Sequence, residues 1–152
     1  MNVFEEFKCL VKELETSKVK YALIGGVAMA FYTEPRFTRD IDLLLDPEDY
    51  EKTKNILERN NYFESITPRR FGKLRVKLHR FLKVTDEDEM IIDLLIAETE
   101  ETKAIIRDSV EAESEEGKIK LASRENLIWL KKKRGSKQDQ ADIEKLEDEE
   151  NR

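Results

Sequence analysis

Residues 21–47 of this 152-residue chain read YALIGGVAMAFYTEPRFTRDIDLLLDP, and this stretch decides the fold. The apolar run Tyr21–Ile24 ends at Gly25 and Gly26, as a buried strand ends at a tight turn. Residues 27–32 then have a helix-forming, nearly all-apolar composition, which predicts a short helix that begins directly on the two glycines. A glycine turn that opens a helix presents free backbone N–H groups and the positive end of the helix dipole. This turn therefore suits a phosphate group.

Two aspartates stand one residue apart in the next predicted strand, residues 40–45. Residues two apart in a strand share a face, so Asp40 and Asp42 are expected to project together. Adjacent carboxylates in an apolar strand repel each other and resist desolvation unless a positive charge lies between them. A divalent cation is the simplest such charge, so the pair predicts a metal site.

A third acid lies in the apolar segment 90–97, MIIDLLIA, which is typical of a central strand. Asp93 is its only ionisable residue, at a position where burial is expected. A neighbouring arginine or lysine could satisfy this carboxylate. If instead the segment lies beside the strand of residues 40–45, three carboxylates converge on one site. Such oxygen ligands suit Mg²⁺ or Mn²⁺, and two such ions can hold a phosphoryl group during transfer.

This order of motifs resembles the nucleotidyltransferase superfamily that includes DNA polymerase beta, and within it the AbiE-type toxins and their short relatives. The resemblance rests on the glycine pair, on the segment 36–42, RFTRDID, and on Asp93, and it covers roughly residues 21–143. Each motif alone has little specificity. Their order and the thirteen residues that separate Gly26 from Asp40 make the combination specific.

The resemblance implies an α+β fold, with a mixed twisted sheet flanked by helices and with further helices at the C-terminus. It also implies that an NMP group is moved from an NTP to a hydroxyl acceptor with the help of Mg²⁺ or Mn²⁺. The catalytic residues and metal ligands that it implies are Asp40, Asp42 and Asp93. The nucleotide contacts that it implies are Gly25, Gly26, Arg36, Thr38 and Lys131. The acceptor would be a tRNA end or a protein hydroxyl, in a toxin–antitoxin setting with an antitoxin as partner.

The segment 127–146 matches the closing pattern of the family in part. Lys131 aligns with a family lysine, and Asp139 and Asp142 align with two acids that open the last helix. The arginine usual between them falls at Ser136. Arg134 and Lys137 are the nearby basic residues that could replace it. The alternative for the lysines of this segment is a solvated helix end, where cations favour the helix dipole.

A basic segment precedes the third acid. Within residues 69–83, apolar and basic residues alternate as in a long half-buried strand, and Arg80 and Phe81 interrupt the alternation, which predicts a β-bulge. The segment holds seven basic residues, the single histidine and no acid. It is either a solvated face that balances the acids of residues 86–89 or a surface for a polyanion, a nucleic acid or the triphosphate. His79 is expected to be a surface or substrate contact on this basic face.

Composition sets the remaining limits. The length predicts a single domain, residues 1–146 including the C-terminal helices, followed by an acidic tail, residues 147–152. The net charge of −6 disfavours wholesale nucleic-acid binding, and the single cysteine excludes an internal disulfide and a cysteine metal cage. The N-terminus lacks the features of a signal peptide, and no apolar run approaches the roughly 18 residues of a membrane span. We therefore expect a cytoplasmic protein with no membrane contact.

Apolar spacing also predicts the other elements, which are helices at 2–16, 47–60, 99–110, 124–134 and 138–149 and a hairpin at 112–121. Two other functions stay open: a small-molecule nucleotidyltransferase of the antibiotic-modifying kind, and an inactive nucleotide-binding module that acts through a partner. A calcium-binding EF-hand loop is rejected. Leu44 and Leu45 occupy the positions where that loop needs a ligand and a glycine.

Overall fold

The computed structural model describes residues 2–33, 40–86, 88–115 and 117–150. Two of the predicted nucleotide contacts, Arg36 and Thr38, lie outside the described residues.

The elements of the first half are α1 (Val3–Thr16), β1 (Tyr21–Ile24), α2 (Gly25–Met29), β2 (Asp40–Leu45), a 3₁₀ turn (Pro47–Asp49), α3 (Tyr50–Arg59), β3 (Phe63–Glu64) and β4 (Arg69–Phe71). Those of the second half are β5 (Val76–Thr85), β6 (Asp88–Ala97), α4 (Glu100–Arg107), β7 (Val110–Ser114), β8 (Gly117–Leu121), α5 (Arg124–Arg134) and α6 (Lys137–Glu150).

The strands form one eight-stranded sheet in the order β3-β5-β6-β2-β1-β8-β7, and β4 pairs with β5 as well. β2 runs parallel to β6 and β1 runs parallel to β8, whereas the other pairs are antiparallel. The prediction of an α+β fold built on a mixed sheet with flanking helices is confirmed.

The strand, turn, helix and strand of residues 21–45 form as predicted, with one shift. β1 is buried throughout and pairs with β2, so that Ile24 lies opposite Asp42. Gly25 follows with a φ of +75°, a backbone conformation that disfavours side chains. α2 begins at Gly25 itself, so the glycines form its first turn and do not precede it.

The helix predictions hold, and their ends are set by local signals. Ser123 caps α5 by accepting a hydrogen bond from the backbone N–H of Asn126, and Gly135 ends α5 in the left-handed conformation. α4 stops at Arg107, earlier than predicted, because Val110 joins β7. α6 continues to Glu150, so the acidic residues 147–150 are helical. None of the described helices combines the length and apolar character that crossing a bilayer would require.

The basic segment differs from its prediction. β5 pairs with β6 residue by residue from Val76 to Thr85, so the predicted bulge at Arg80 and Phe81 is wrong. Residues 69–75 do not continue this strand, since they form β4 and a turn that leads back into β5.

Neighbouring residues of β5 point to opposite faces of the sheet. His79 bonds to Tyr50 of α3, and Lys83 pairs with Glu6 of α1, so these helices cover one face. Val76, Leu78 and Arg80 line a pocket on the other face. The expectation that His79 lies on the surface is wrong: the residue is only 8% exposed, because its ring packs against Tyr50 and its Nδ1 lies 2.9 Å from Glu64 Oε1.

Candidate active site

The three predicted acids lie on two adjacent strands. In the parallel pair of β2 and β6, Asp42 stands directly opposite Asp93. Asp40 lies two residues before Asp42 and so shares its face of β2. All three line one pocket of about 490 Å³. The condition set by the sequence, that the strand of Asp93 lies beside that of Asp40 and Asp42, is met.

Gly25 packs directly against this cluster. A β-carbon built on its backbone would overlap Oδ2 of Asp42, and the positive φ adds a second reason for glycine. The turn and the carboxylate therefore share one small space, which any larger residue at position 25 would fill.

We expect Gly25→Ala to lower the free energy of unfolding by about 1–3 kcal/mol, because alanine is strained at this φ and meets the Asp42 carboxylate. Urea unfolding at neutral pH measures the change. Gly72→Ala is the matched control, since the position that its β-carbon would take is open space and the glycine lines the same pocket. Equal stability of the two variants would contradict a requirement for glycine at position 25.

The carboxylates of β2 are held in an unfavourable environment. Burial raises the pKa of Asp42 to about 7, with the charges of Asp93 and Asp40 adding to the effect and those of Arg134 and Arg80 opposing it. Burial also raises the pKa of Asp40, again with a contribution from Asp93. The cluster thus carries negative charge that a cation within it would stabilise.

Arg80 provides such a charge for one of the three acids. It stands opposite Asp93 in the β5–β6 pair, its Nε donates to Oδ1 of Asp93 at 2.8 Å, and its Nη2 donates to Oδ2 at 2.9 Å. This two-pronged geometry is the strongest form of arginine–carboxylate contact. The open alternative for Asp93, a carboxylate satisfied by an arginine, is therefore the arrangement that the structure contains.

The carboxylates of the site suit a divalent cation fully in their chemistry and only partly in their arrangement. Asp40 and Asp42 offer oxygen ligands on one face of β2, which is the chemistry that Mg²⁺ and Mn²⁺ prefer. Across the described segments, however, no three His, Cys, Asp or Glu side chains are arranged to hold a metal. Asp93 lies next to the pair, and both of its oxygens accept hydrogen bonds from Arg80.

Lys131 belongs to a buried polar network under the pocket. The residue is 5% exposed, and its Nζ lies 2.8 Å from Oδ2 of Asp142 and 3.8 Å from Oδ1 of Asp139. Its burial rules out the solvated helix end for Lys131, whereas Lys132 and Lys133 are exposed as that alternative expects. Lys131 also lines the pocket, so its predicted nucleotide contact is compatible with this place.

Arg134 joins the same network from the pocket side. Its Nε and Nη2 donate to the two oxygens of Asp139 at 2.8 and 2.7 Å, and Ser136 Oγ lies 2.7 Å from Oδ2. Although burial acts to raise the pKa of Asp139, these hydrogen bonds lower it to about 2. Arg134 lines the pocket and opposes the raised pKa of Asp42. Of Arg134 and Lys137, the two basic residues that could replace the usual arginine, Arg134 is thus the one that lines the pocket and acts on Asp42.

The basic residues of 69–83 do not form one surface. Arg70, Arg80 and Lys83 each pair with an acid outside the segment, which are Glu98, Asp93 and Glu6. The exposed basic residues that remain near the turn between β4 and β5 are Arg69, Lys73 and Arg75. Phe71, 43% exposed, lies beside them and lines the pocket.

The sequence analysis missed Arg80 as a site residue, although a signal was present. The interrupted alternation at Arg80 and Phe81 places an arginine where the pattern calls for an apolar residue and a phenylalanine where it calls for a polar one. In a regular strand this exchange puts a cation on the pocket face and an aromatic ring in the core, which is the observed arrangement.

Comparison with known proteins places this fold in a class. The mixed sheet with its flanking helices is the fold of nucleotidyltransferases related to DNA polymerase beta, and the protein is an NTP-using transferase of that class. More narrowly, the chain belongs to the family of the nucleotidyl transferase AbiEii toxin of type IV toxin–antitoxin systems, whose family model matches residues 9–133. No curated protein matches at a significant level.

Three solved structures illustrate the likeness of fold. The lincosamide antibiotic adenylyltransferase LnuA, in its lincomycin-bound form, is 19% identical with a TM-score of 0.66, over 94% of this chain and 95% of its own. A putative nucleotidyltransferase from Thermotoga maritima is 15% identical with a TM-score of 0.65, over 95% and 92%. ANT(2")-Ia in complex with adenylyl-2"-tobramycin is 17% identical with a TM-score of 0.53, over 83% and 72%.

Proposed function

We propose that this protein transfers an NMP group from an NTP to a hydroxyl acceptor, and that Asp40, Asp42 and Asp93 are its catalytic residues. The observation that carries the proposal is the placement of these three carboxylates side by side on the wall of one pocket. A divalent cation, Mg²⁺ or Mn²⁺, would be held by Asp40 and Asp42, with Asp93 as a further ligand. When bound, it supplies positive charge that neutralises the phosphate oxygens and the acceptor oxygen.

The other side chains bind and orient the nucleotide. The backbone N–H groups of Gly25 and Gly26 hold the triphosphate beside Asp42, whose carboxylate occupies the space that a side chain at position 25 would take. Arg36 and Thr38 steady the phosphates. Lys131 contacts the nucleotide at the edge of its buried network, and Arg134 adds positive charge on the pocket wall.

The reaction breaks a phosphoanhydride bond of the NTP and forms a phosphate ester bond to the acceptor. The acceptor oxygen bonds to the α-phosphorus while the bond from that phosphorus to the bridging oxygen breaks, so pyrophosphate leaves in line. Asp93 stands beside Asp42 on the neighbouring strand, and it accepts the proton of the acceptor hydroxyl.

The acceptor is a tRNA end or a protein hydroxyl, and the family supplies the toxin–antitoxin setting with an antitoxin partner. The exposed basic turn between β4 and β5 favours the tRNA, because Lys73 and Phe71 line the pocket while Arg75 lines a depression next to it. A small-molecule acceptor is the second candidate. It is favoured by the similar size of LnuA, whose structure contains lincomycin.

Labelled NTPs offered with several acceptors in parallel test this proposal. The protein is incubated with each α-labelled NTP and Mg²⁺ in the presence of tRNA, cell-extract protein, an aminoglycoside or a lincosamide. We expect label in one acceptor class, and none with the double variant Asp40→Ala and Asp42→Ala, whose fold is checked by circular dichroism.

The outcomes separate the candidates. Label in the antibiotic alone would replace the tRNA or protein acceptor with a small molecule. Equal transfer by the double variant would show that the site is wrong. If calorimetry detects binding of neither Mg²⁺ nor any NTP, the protein is an inactive module that acts through a partner.

A further inference from the structure

Two arginine–aspartate pairs line the pocket, and they differ in how firmly the acid is held. In one, Arg134 binds Asp139, which is fully buried and also accepts hydrogen bonds from the backbone N–H and the hydroxyl of Ser136. In the other, Arg80 binds Asp93, for which no further side-chain hydrogen bond occurs among the described residues. Within the described part of the chain, the first pair is anchored by several groups, whereas the second depends on one guanidinium.

The Arg80 pair also lies at the edge of the solvent. The side chain of Asp93 is 8% exposed and that of Arg80 is 37% exposed, so the guanidinium reaches from the pocket to a nearly buried carboxylate. Arg80 can therefore leave Asp93 and remain in the pocket without being buried elsewhere. Asp93 cannot lose its partner so easily, because an unpaired carboxylate at this depth is costly.

A cation bound between the carboxylates of Asp42 and Asp93 would compete with the Arg80 guanidinium for the oxygens of Asp93. Both oxygens of Asp93 accept a hydrogen bond from Arg80, at 2.8 and 2.9 Å. Asp42 lies opposite Asp93 on the neighbouring strand, and the charges of both acids act on each other. A divalent cation placed between them would repel a guanidinium already bound to Asp93.

We propose that Arg80 is a positioning residue that occupies Asp93 until a divalent cation binds, and that the cation displaces the guanidinium from this carboxylate. The inference rests on the proposed function, because it assumes that the cation binds at Asp42. In this arrangement Arg80 keeps the acid cluster folded before metal binds. Once displaced, it remains as a positive charge in the pocket where the triphosphate is bound.

Metal affinity without nucleotide provides the first test. Titration calorimetry with Mn²⁺ alone compares wild type with Arg80→Gln, which removes the competing guanidinium. We expect Mn²⁺ to bind the variant at least about tenfold more tightly, because wild type must first give up a charged, two-pronged hydrogen bond. Arg70→Gln is the matched control, since it removes the same charge from an exposed pair with Glu98. Its affinity should stay within about twofold of wild type.

A second measurement uses wild type and does not depend on how well the variant folds. The Nε–H signals of arginine are followed by ¹⁵N NMR while Mg²⁺ is added, and the Arg80 signal is assigned by its loss in Arg80→Lys. We expect Mg²⁺ to shift the Arg80 signal and to speed its exchange with water. The Arg134 signal, from the anchored pair with Asp139, should not change.

The results separate this inference from the proposed function. If Asp42→Asn abolishes Mn²⁺ binding while Arg80→Gln leaves the affinity unchanged and the Arg80 signal does not respond to Mg²⁺, the metal site stands and the displacement of Arg80 is refuted. If Mn²⁺ binds Asp42→Asn as well as wild type, the proposed site and this inference both fail.

Discussion

Replacing Asp42 with asparagine should reduce nucleotidyl transfer by about a thousandfold or more and at the same time make the metal-free protein more stable. The loss of activity follows because the carboxylate is a proposed metal ligand, and a bound metal ion contributes several kcal/mol to stabilising the transition state. The gain in stability follows because the ionised form of Asp42 is disfavoured by burial and by the neighbouring acids Asp93 and Asp40.

The stability effect has a defined pH dependence. The pKa of Asp42 is about 7 in the folded protein and near 3.8 in the unfolded chain. Between these values the folded state keeps a proton that the unfolded state has released. This residue therefore makes the free energy of unfolding fall as the pH rises from about 4 to about 7, with no further change above that range.

Urea unfolding of metal-free protein across this pH range measures the effect. At pH 8 we expect Asp42→Asn to be about 2 kcal/mol more stable than wild type, less than the full pKa difference implies because the asparagine amide needs hydrogen-bond partners of its own at this position. Asp148→Asn makes the same chemical change at an exposed position of α6 and should alter neither activity nor stability. An Asp42→Asn variant that is less stable at pH 8 would contradict the unfavourable environment of this carboxylate.

The arrangement of the acids within each strand could be predicted because local rules determine it, whereas the sequence offered the pairing of the two strands only as a condition. The strand period of two puts Asp40 and Asp42 on one face. The apolar run around Asp93 requires a central strand, and the structure puts that strand beside β2. The turn at Gly25 is local in its backbone conformation, whereas its close contact with Asp42 comes from the pairing of β1 with β2.

The partners of charged residues could not be predicted, because they depend on which strands and helices become neighbours. The β5–β6 pairing alone brings Arg80 to Asp93, so the sequence could offer an arginine partner only as an alternative. The basic segment predicted an exposed His79, but α3 places Tyr50 against the residue and covers it. The burial of Lys131 depends in the same way on how α6 packs against α5.

Replacing Lys131 with methionine should destabilise the protein by about 3–5 kcal/mol, even though methionine fills much of the same space. The two acids beside Lys131 Nζ, Asp142 at 2.8 Å and Asp139 at 3.8 Å, are both fully buried. Removing one partner of a buried ion pair leaves the other charge without compensation, which is the costly change. Asp139 keeps Arg134, so we expect the cost to fall mainly on Asp142, which loses its 2.8 Å contact with the lysine and keeps the hydrogen bond from Gln138.

Lys132→Met is the matched control for this substitution, because Lys132 is the next residue of α5 and is exposed, so its loss should change stability by no more than about 0.5 kcal/mol. The double variant Lys131→Met and Asp142→Leu removes both charges and should recover most of the loss, since apolar residues can replace a buried pair. Urea unfolding gives the three free energies. A loss of less than about 1 kcal/mol for Lys131→Met would contradict this structural role, and a rise in KM for the NTP of at least about tenfold would then show that the lysine acts through its proposed nucleotide contact alone.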